Sequence, residues 1–131
     1  MISGGNATVF VSNMDNAVKF YTEVLGLRLT NRFGDAWATI DAGKGLTIGL
    51  HPASPKYPAP GTNGSMVLGL ELDEPIETVV ARLSDRGVGF TTSITTDDAG
   101  KFATLADPDG NLMYLWETIF HAPSRSELAR G

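Results

Sequence analysis

Three side chains in this sequence could move protons, and each lies on a short alternating segment. His51 ends LTIGLH (46–51), Glu71 lies in MVLGLEL (66–72), and Tyr114 lies in LMYLWE (112–117). An imidazole, a carboxylate and a phenol in one cleft would form an acid–base set. If Glu71 met His51 it would raise the imidazole pKa, and it could equally hold a cationic group of a ligand. A divalent ion needs more, namely several N or O donors converging at about 2 Å; His51 and Glu71 are only two firm donors, with Asn6 and Tyr114 as weaker company. The other chemically suggestive set is aromatic. Phe10, Trp37, Phe102, Tyr114 and Trp116 all fall on strand-like stretches, with Thr39, Thr47 and Thr104 among them. Rings sandwich planar molecules, each well-placed pair adding about 0.5–1.5 kcal/mol beyond burial. Several such contacts suffice for the roughly −8 kcal/mol of micromolar binding. His121, the second histidine, lies beyond the last strand pattern and reads as a tail residue.

The elements that must carry these residues follow from periodicity. Asn6 to Val11 alternates as a strand. SNMDNAVKFYTEVLGL then offers Ser12 or Asn13 as a cap and repeats Ala17, Phe20, Tyr21, Val24 and Leu25 at helical spacing until Gly26 stops it. Strands are expected at 28–33, 36–42 and 46–51, separated by Gly34-Asp35 and Gly43-Lys44-Gly45. Residues 52–65, with four prolines and no periodicity, read as a linker or mobile loop. The order then restarts: a strand at 66–72, a helix over about 75–86 between Pro75 and Gly87, and strands near 89–94, 101–106 and 112–117. Val18 precedes Gly26 by eight residues, as Val79 precedes Gly87. A repeat of about 60 residues therefore points to internal duplication. The expected organisation is one domain over 1–131: module one at 6–51, the linker at 52–65, module two at 66–118 and a polar tail at 119–131.

If each helix covers one face of its sheet, that face should be uniformly apolar. One face carries Ala7, Val9 and Val11; Ile48 and Leu50; Leu68, Leu70 and Leu72; and Met113 and Leu115. The other carries Asn6, Thr8 and Phe10; Thr47, Gly49 and His51; Val67, Gly69 and Glu71; and Leu112, Tyr114 and Trp116. This second face, with glycines that leave space between rings, has the make-up of a small-molecule cavity.

Composition narrows the function classes. Ten basic against fifteen acidic residues give a net charge of −5 with no Lys/Arg cluster, which argues against nucleic-acid binding. The sequence has no cysteine, which excludes disulfides and thiol nucleophiles and suits a reducing compartment. Neither a leader pattern nor an apolar run near 18 residues is present, so the expectation is a soluble, cytoplasmic protein without a membrane partner.

FVSNMDNAVKFYTEVLGLRL, the repeated β-α-β-β-β order and ADPDGNLMYLWE together resemble the vicinal oxygen chelate superfamily of glyoxalase I, extradiol dioxygenases and bleomycin resistance proteins. The resemblance spans about residues 6–118. It implies an α+β fold of two βαβββ modules, whose curved mixed sheets form a cavity that two chains complete as a homodimer. Metal-dependent members of that superfamily place one ligand on each of four inner strands. Carried over, those positions fall on Asn6, Gly49, Val67 (or Met66 in the adjacent register) and Tyr114, so the resemblance implies that no metal and no other cofactor is held. It implies a metal-free protein that sequesters or senses a planar or aromatic small molecule, such as an antibiotic or metabolite. Its expected ligand-binding residues are Phe10, Trp37, Thr39, His51, Glu71, Phe102, Tyr114 and Trp116. The alternative is an enzyme of the same superfamily, a lyase, isomerase or dioxygenase, with an unconventional metal site or with His51, Glu71 and Tyr114 as acid–base groups.

Overall fold

The computed structural model describes residues 1, 5–63, 67–98 and 100–118. Met66 at the start of the expected fifth strand, and the tail from Ile119 with His121, lie outside them. Module one runs β1 (Ala7–Val11), α1 (Met14–Lys19) continued by a π-helical segment (Phe20–Val24), β2 (Arg28–Phe33), β3 (Trp37–Asp41) and β4 (Thr47–Pro52). Module two runs β5 (Leu68–Glu71), α2 (Ile76–Asp85), β6 (Thr95–Thr96), β7 (Gly100–Ala106) and β8 (Leu112–Thr118). The sheets have matching orders, β1-β4-β3-β2 and β5-β8-β7-β6. In each, the first and last strands of the module pair in parallel and the other pairs are antiparallel. The fold is therefore α+β, with two open four-stranded sheets and no closed barrel among the described residues.

The helices form where capping and apolar spacing agree. Of the two cap candidates it is Asn13 that accepts the Asn16 N–H, at 2.9 Å. Past Lys19 the helix widens, the Leu25 N–H reaching back five residues to the Phe20 carbonyl. Gly26 and Gly87, at φ 75° and 91°, then end the two helical segments. At α2 the Val88 N–H returns to Leu83 and the Gly87 N–H to Ser84, which satisfies carbonyls that a helix end leaves open.

The expected apolar face does pack on the helices. Val11, Ile48, Leu50, Met113 and Leu115 are buried with Met14, Ala17, Val18, Tyr21, Ile76, Val79 and Leu83 in one core, and Val9, Leu68, Leu70 and Leu72 pack against it. Alternation on β3 and β7 adds Ala38, Ile40, Ala103 and Leu105, all almost fully buried. Each large aliphatic side chain so removed from water contributes about 1.5–3 kcal/mol.

The strand expected near 89–94 is reduced to a single bridge between Phe90 and Leu105, followed by the two residues of β6. The cause is a competing acceptor. The Thr92 hydroxyl takes the Thr104 N–H at 3.1 Å, while the Thr91 N–H and hydroxyl both go to the Thr104 carbonyl, so side chains replace part of the backbone ladder.

The turn Asp107-Pro108-Asp109-Gly110, between β7 and β8, fixes the register of β8 and also fastens the modules together. The buried Asp107 carboxylate accepts from the Asp109 and Asn111 N–H groups, from the Asn111 amide, and from the Tyr21 hydroxyl at 3.1 Å, 86 residues away. Asp109 accepts the Ser12 N–H at the start of α1 through both oxygens, at 3.2 and 3.1 Å. Burial first, and then the Asp107 charge, push the Tyr21 phenol pKa far above its ordinary value.

Candidate functional site

The uncovered face of module one is a wall of rings. Phe10 on β1 pairs with His51 on β4, and their rings meet edge to face at 5.5 Å. Trp37 on β3 lies edge-on to His51 at 6.3 Å. The Nδ1 of His51 lies 2.8 Å from the Pro52 carbonyl oxygen, which can only accept, so Nδ1 is the donor in this hydrogen bond. The hydroxyls of Thr39 and Thr30 lie 2.7 Å apart. A fourth ring completes the wall: Tyr57, from the proline-rich loop, stacks on Phe10 with centroids 4.9 Å apart and planes 19° apart, and meets His51 edge-on at 5.1 Å. Sequence reading passed over Tyr57 because it lies outside any periodic segment. The available signal was an aromatic set between Pro55 and Pro58 in a loop that must return to the sheet.

The glycines of this face differ from expectation. They are not open gaps. A methyl group added at Gly49 would lie inside the Trp37 indole, and one at Gly69 would lie inside the Tyr114 ring. Glycine is used at both places because a neighbouring ring lies flat on the strand, leaving no room for even a Cβ. Module two presents Tyr114 on β8, tilted against Phe102 on β7 at 6.2 Å, with Trp116 paired to Phe102 on one side and to Glu71 on the other. The Glu71 carboxylate is bound by Lys44 of module one at 3.1 and 2.9 Å. Its partner is thus a turn lysine rather than His51. The eight expected residues therefore separate into two groups: Phe10, Trp37, Thr39 and His51 on one sheet, and Glu71, Phe102, Tyr114 and Trp116 on the other. Among the described residues no ring contact joins the two groups.

Two hollows flank β5. One of about 550 Å³ opens between β1 and β5 beneath loop residues 58–63, with Asn6, Thr8, Phe10, Val67 and Leu112 on its wall. The other, about 650 Å³, lies towards the far end of β5 between the Gly43–Gly45 turn and α2, with Glu71 and Trp116 on its wall and the Lys44–Glu71 ion pair at its rim. Both are of a size that takes small molecules. A metal does not fit the inner positions. Asn6 and Thr8 bond each other at 2.8 Å, Gly49 is covered by indole, Val67 has no donor, and the Tyr114 ring is laid over Gly69. Among the described residues no three His, Asp or Glu side chains converge.

Known proteins share this fold. The sequence profile of the glyoxalase/bleomycin resistance protein/dioxygenase superfamily matches residues 5–115. The chain belongs to this superfamily. A glyoxalase/bleomycin resistance protein from Streptomyces sp. CB03234 is 30% identical and superposes with a TM-score of 0.69, over 87% of this chain and 99% of that one. An antibiotic-binding protein from the same strain, TnmS3, is 28% identical with a TM-score of 0.75, over 90% of this chain and 97% of that one. Lactoylglutathione lyase from Agrobacterium tumefaciens shares the superfamily fold, with a TM-score of 0.69 over 88% and 92% of the chains; at 16% identity that likeness speaks for the fold alone. No curated protein matches the sequence. No helix among the described residues is long and apolar enough to cross a membrane.

Proposed function

We propose that this protein binds a planar or aromatic small molecule, an antibiotic or a metabolite, without a metal or other cofactor, and so sequesters or senses it. The observation that carries the reading is the laying of Trp37 over Gly49 and Tyr114 over Gly69. Metal-dependent superfamily members present donors at two of these positions, and here both places hold ring faces. The antibiotic-binding relative supports the same reading. Because the ring groups lie on separate open sheets, a second copy of the chain completes the enclosure, and the protein works as a cytoplasmic homodimer. The enzymatic alternative has less support: His51 donates to Pro52, Glu71 accepts from Lys44, and Tyr114 rests on Gly69.

The test is a thermal-shift screen with planar antibiotics, aromatic metabolites and divalent ions, beside sedimentation analysis for the dimer. A ligand at 100 times its dissociation constant adds about 2.7 kcal/mol, which raises the melting temperature of a domain this size by several degrees. Trp116→Ala should remove most of that shift. Stabilisation by divalent ions alone, or metal-dependent turnover by the purified protein, would overturn the proposal.

A further inference from the structure

In the loop that follows β4, hydrogen bonds to other elements hold Ala53, Gly61 and Asn63, and between them the ties are of another kind. At the near end the Ala53 N–H bonds the Val11 carbonyl at 2.9 Å. At the far end the Gly61 N–H goes to Asn111 Oδ1 at 2.9 Å, and Asn63 bridges the Gly110 carbonyl and the Leu112 N–H. Between these points the hydrogen bonds around Tyr57 stay within the loop: its N–H to the Ser54 carbonyl, and the Lys56 N–H to the Ser54 hydroxyl. The Tyr57 hydroxyl makes no hydrogen bond among the described residues. What lays the centre of the loop on the sheet is ring contact, the stack on Phe10 and the edge contact with His51. Even so, Tyr57 keeps 46% of its surface exposed. Pro55, Pro58 and Pro60 fix φ on both sides of it, which leaves this segment few bonds free to turn.

We infer that Tyr57 is the gate of the module-one ring wall: in the free protein its ring occupies the face of Phe10 that a planar ligand takes, and the ligand enters by exchanging with it. This rests on the ligand-binding reading above. A ring held by stacking alone, with no polar tie, can be replaced by another ring at nearly equal free energy. The covered face of Phe10 is meanwhile kept out of water by the Tyr57 ring. Tyr57 thereby also sets specificity, since an entering molecule must match the stack it displaces. A flat ring system does so and a branched aliphatic chain does not.

Two measurements test the gate, one of them without any ligand. Carbethoxylation of His51 by diethylpyrocarbonate, followed by peptide mass mapping, reports whether the loop covers the imidazole. Tyr57→Ala should speed it by about two- to tenfold, the opening equilibrium set by one stacked pair, and Tyr57→Phe should match the natural chain because the hydroxyl has no role. Equal rates in all three proteins would overturn the gate. In stopped-flow fluorescence with proflavine, a planar tricyclic dye, Tyr57→Ala should associate faster by a similar factor. Slower association, or weaker binding at an unchanged association rate, would make Tyr57 a fixed wall and overturn the gate as well. Failure of every variant to bind planar ligands, with His51 still unmasked by Tyr57→Ala, would remove the pocket reading and the gate with it, leaving Tyr57 only as a cover of His51.

Discussion

Replacing Tyr21 with phenylalanine removes one oxygen atom from a side chain with no solvent exposure, and with it the hydrogen bond to Asp107 that joins the first helix to the second module. Hydrogen bonds to a charged group contribute about 1.5–3 kcal/mol. Asp107 retains donors from Asp109 and Asn111, so the expected loss lies low in that range, at about 2 kcal/mol. For this chain length that corresponds to a fall in melting temperature of roughly 6–10 °C. The effect should also depend on pH, with a definite sign. In the unfolded chain the phenol ionises at its ordinary value of 10.0, whereas burial and the Asp107 charge hold the proton on the folded protein far above it. Above pH 10 the unfolded state therefore binds fewer protons than the folded one, and stability declines by about 1.4 kcal/mol per pH unit. Tyr21→Phe lacks this proton. The other tyrosines are common to both proteins and cancel in the difference. Urea unfolding at pH 7 and pH 11 should thus show a gap of about 2 kcal/mol that narrows by about 1.4 kcal/mol at the higher pH. A gap of the same size at both pH values, or none at pH 7, would refute the link between Tyr21 and Asp107.

Gly49→Ala should cost about 1–3 kcal/mol in chemical denaturation, because its methyl group and the Trp37 indole cannot share one place. In a Trp116→Phe background the displaced Trp37 should emit at longer wavelength; unchanged emission and stability would mean that the ring does not cover the glycine. Asp109→Ala removes the acceptor of the Ser12 N–H at the start of the first helix. By analogy with losing a helix cap, thermal melts should show a cost of about 0.5–2 kcal/mol.

The parts of the fold that were legible in the sequence are those governed by local rules. Alternation placed Ile48, Leu50, Met113 and Leu115 on the helix side, and Asn13, Gly26 and Gly87 marked helix ends, because pleat, cap and left-handed residue each act within a few positions. The strand near 89–94 failed where threonine hydroxyls took over ladder bonds, a competition that hydrophobic patterning does not register. In the candidate site, the inner-facing identities of Phe10, Trp37, His51, Tyr114 and Trp116 could be read from the period of two. That Gly49 and Gly69 are covered could not, since it depends on which way a ring on the neighbouring strand leans. Tyr57 was equally hidden, because its partner Phe10 lies 47 residues earlier and nothing in a proline-rich stretch states where its aromatic lands. Tyr21 and Asp107 are each ordinary in their own segments and become informative only as a pair.

The repeated strand order gives this chain two nearly equivalent frames, in which the row Thr8, Gly49, Thr39 corresponds to Gly69, Tyr114, Thr104. Each row has one glycine under one ring, but in opposite senses. In the first the glycine sits on the central strand and the ring comes from the strand beside it; in the second the glycine sits on the edge strand and the ring rises from the centre. The next row pairs phenylalanine and histidine in one frame with glutamate and tryptophan in the other. The backbone thus repeats one strand order that the side chains do not follow. A scaffold with two interchangeable halves has become one with a front and a back, and a molecule lying across it would have a single preferred heading.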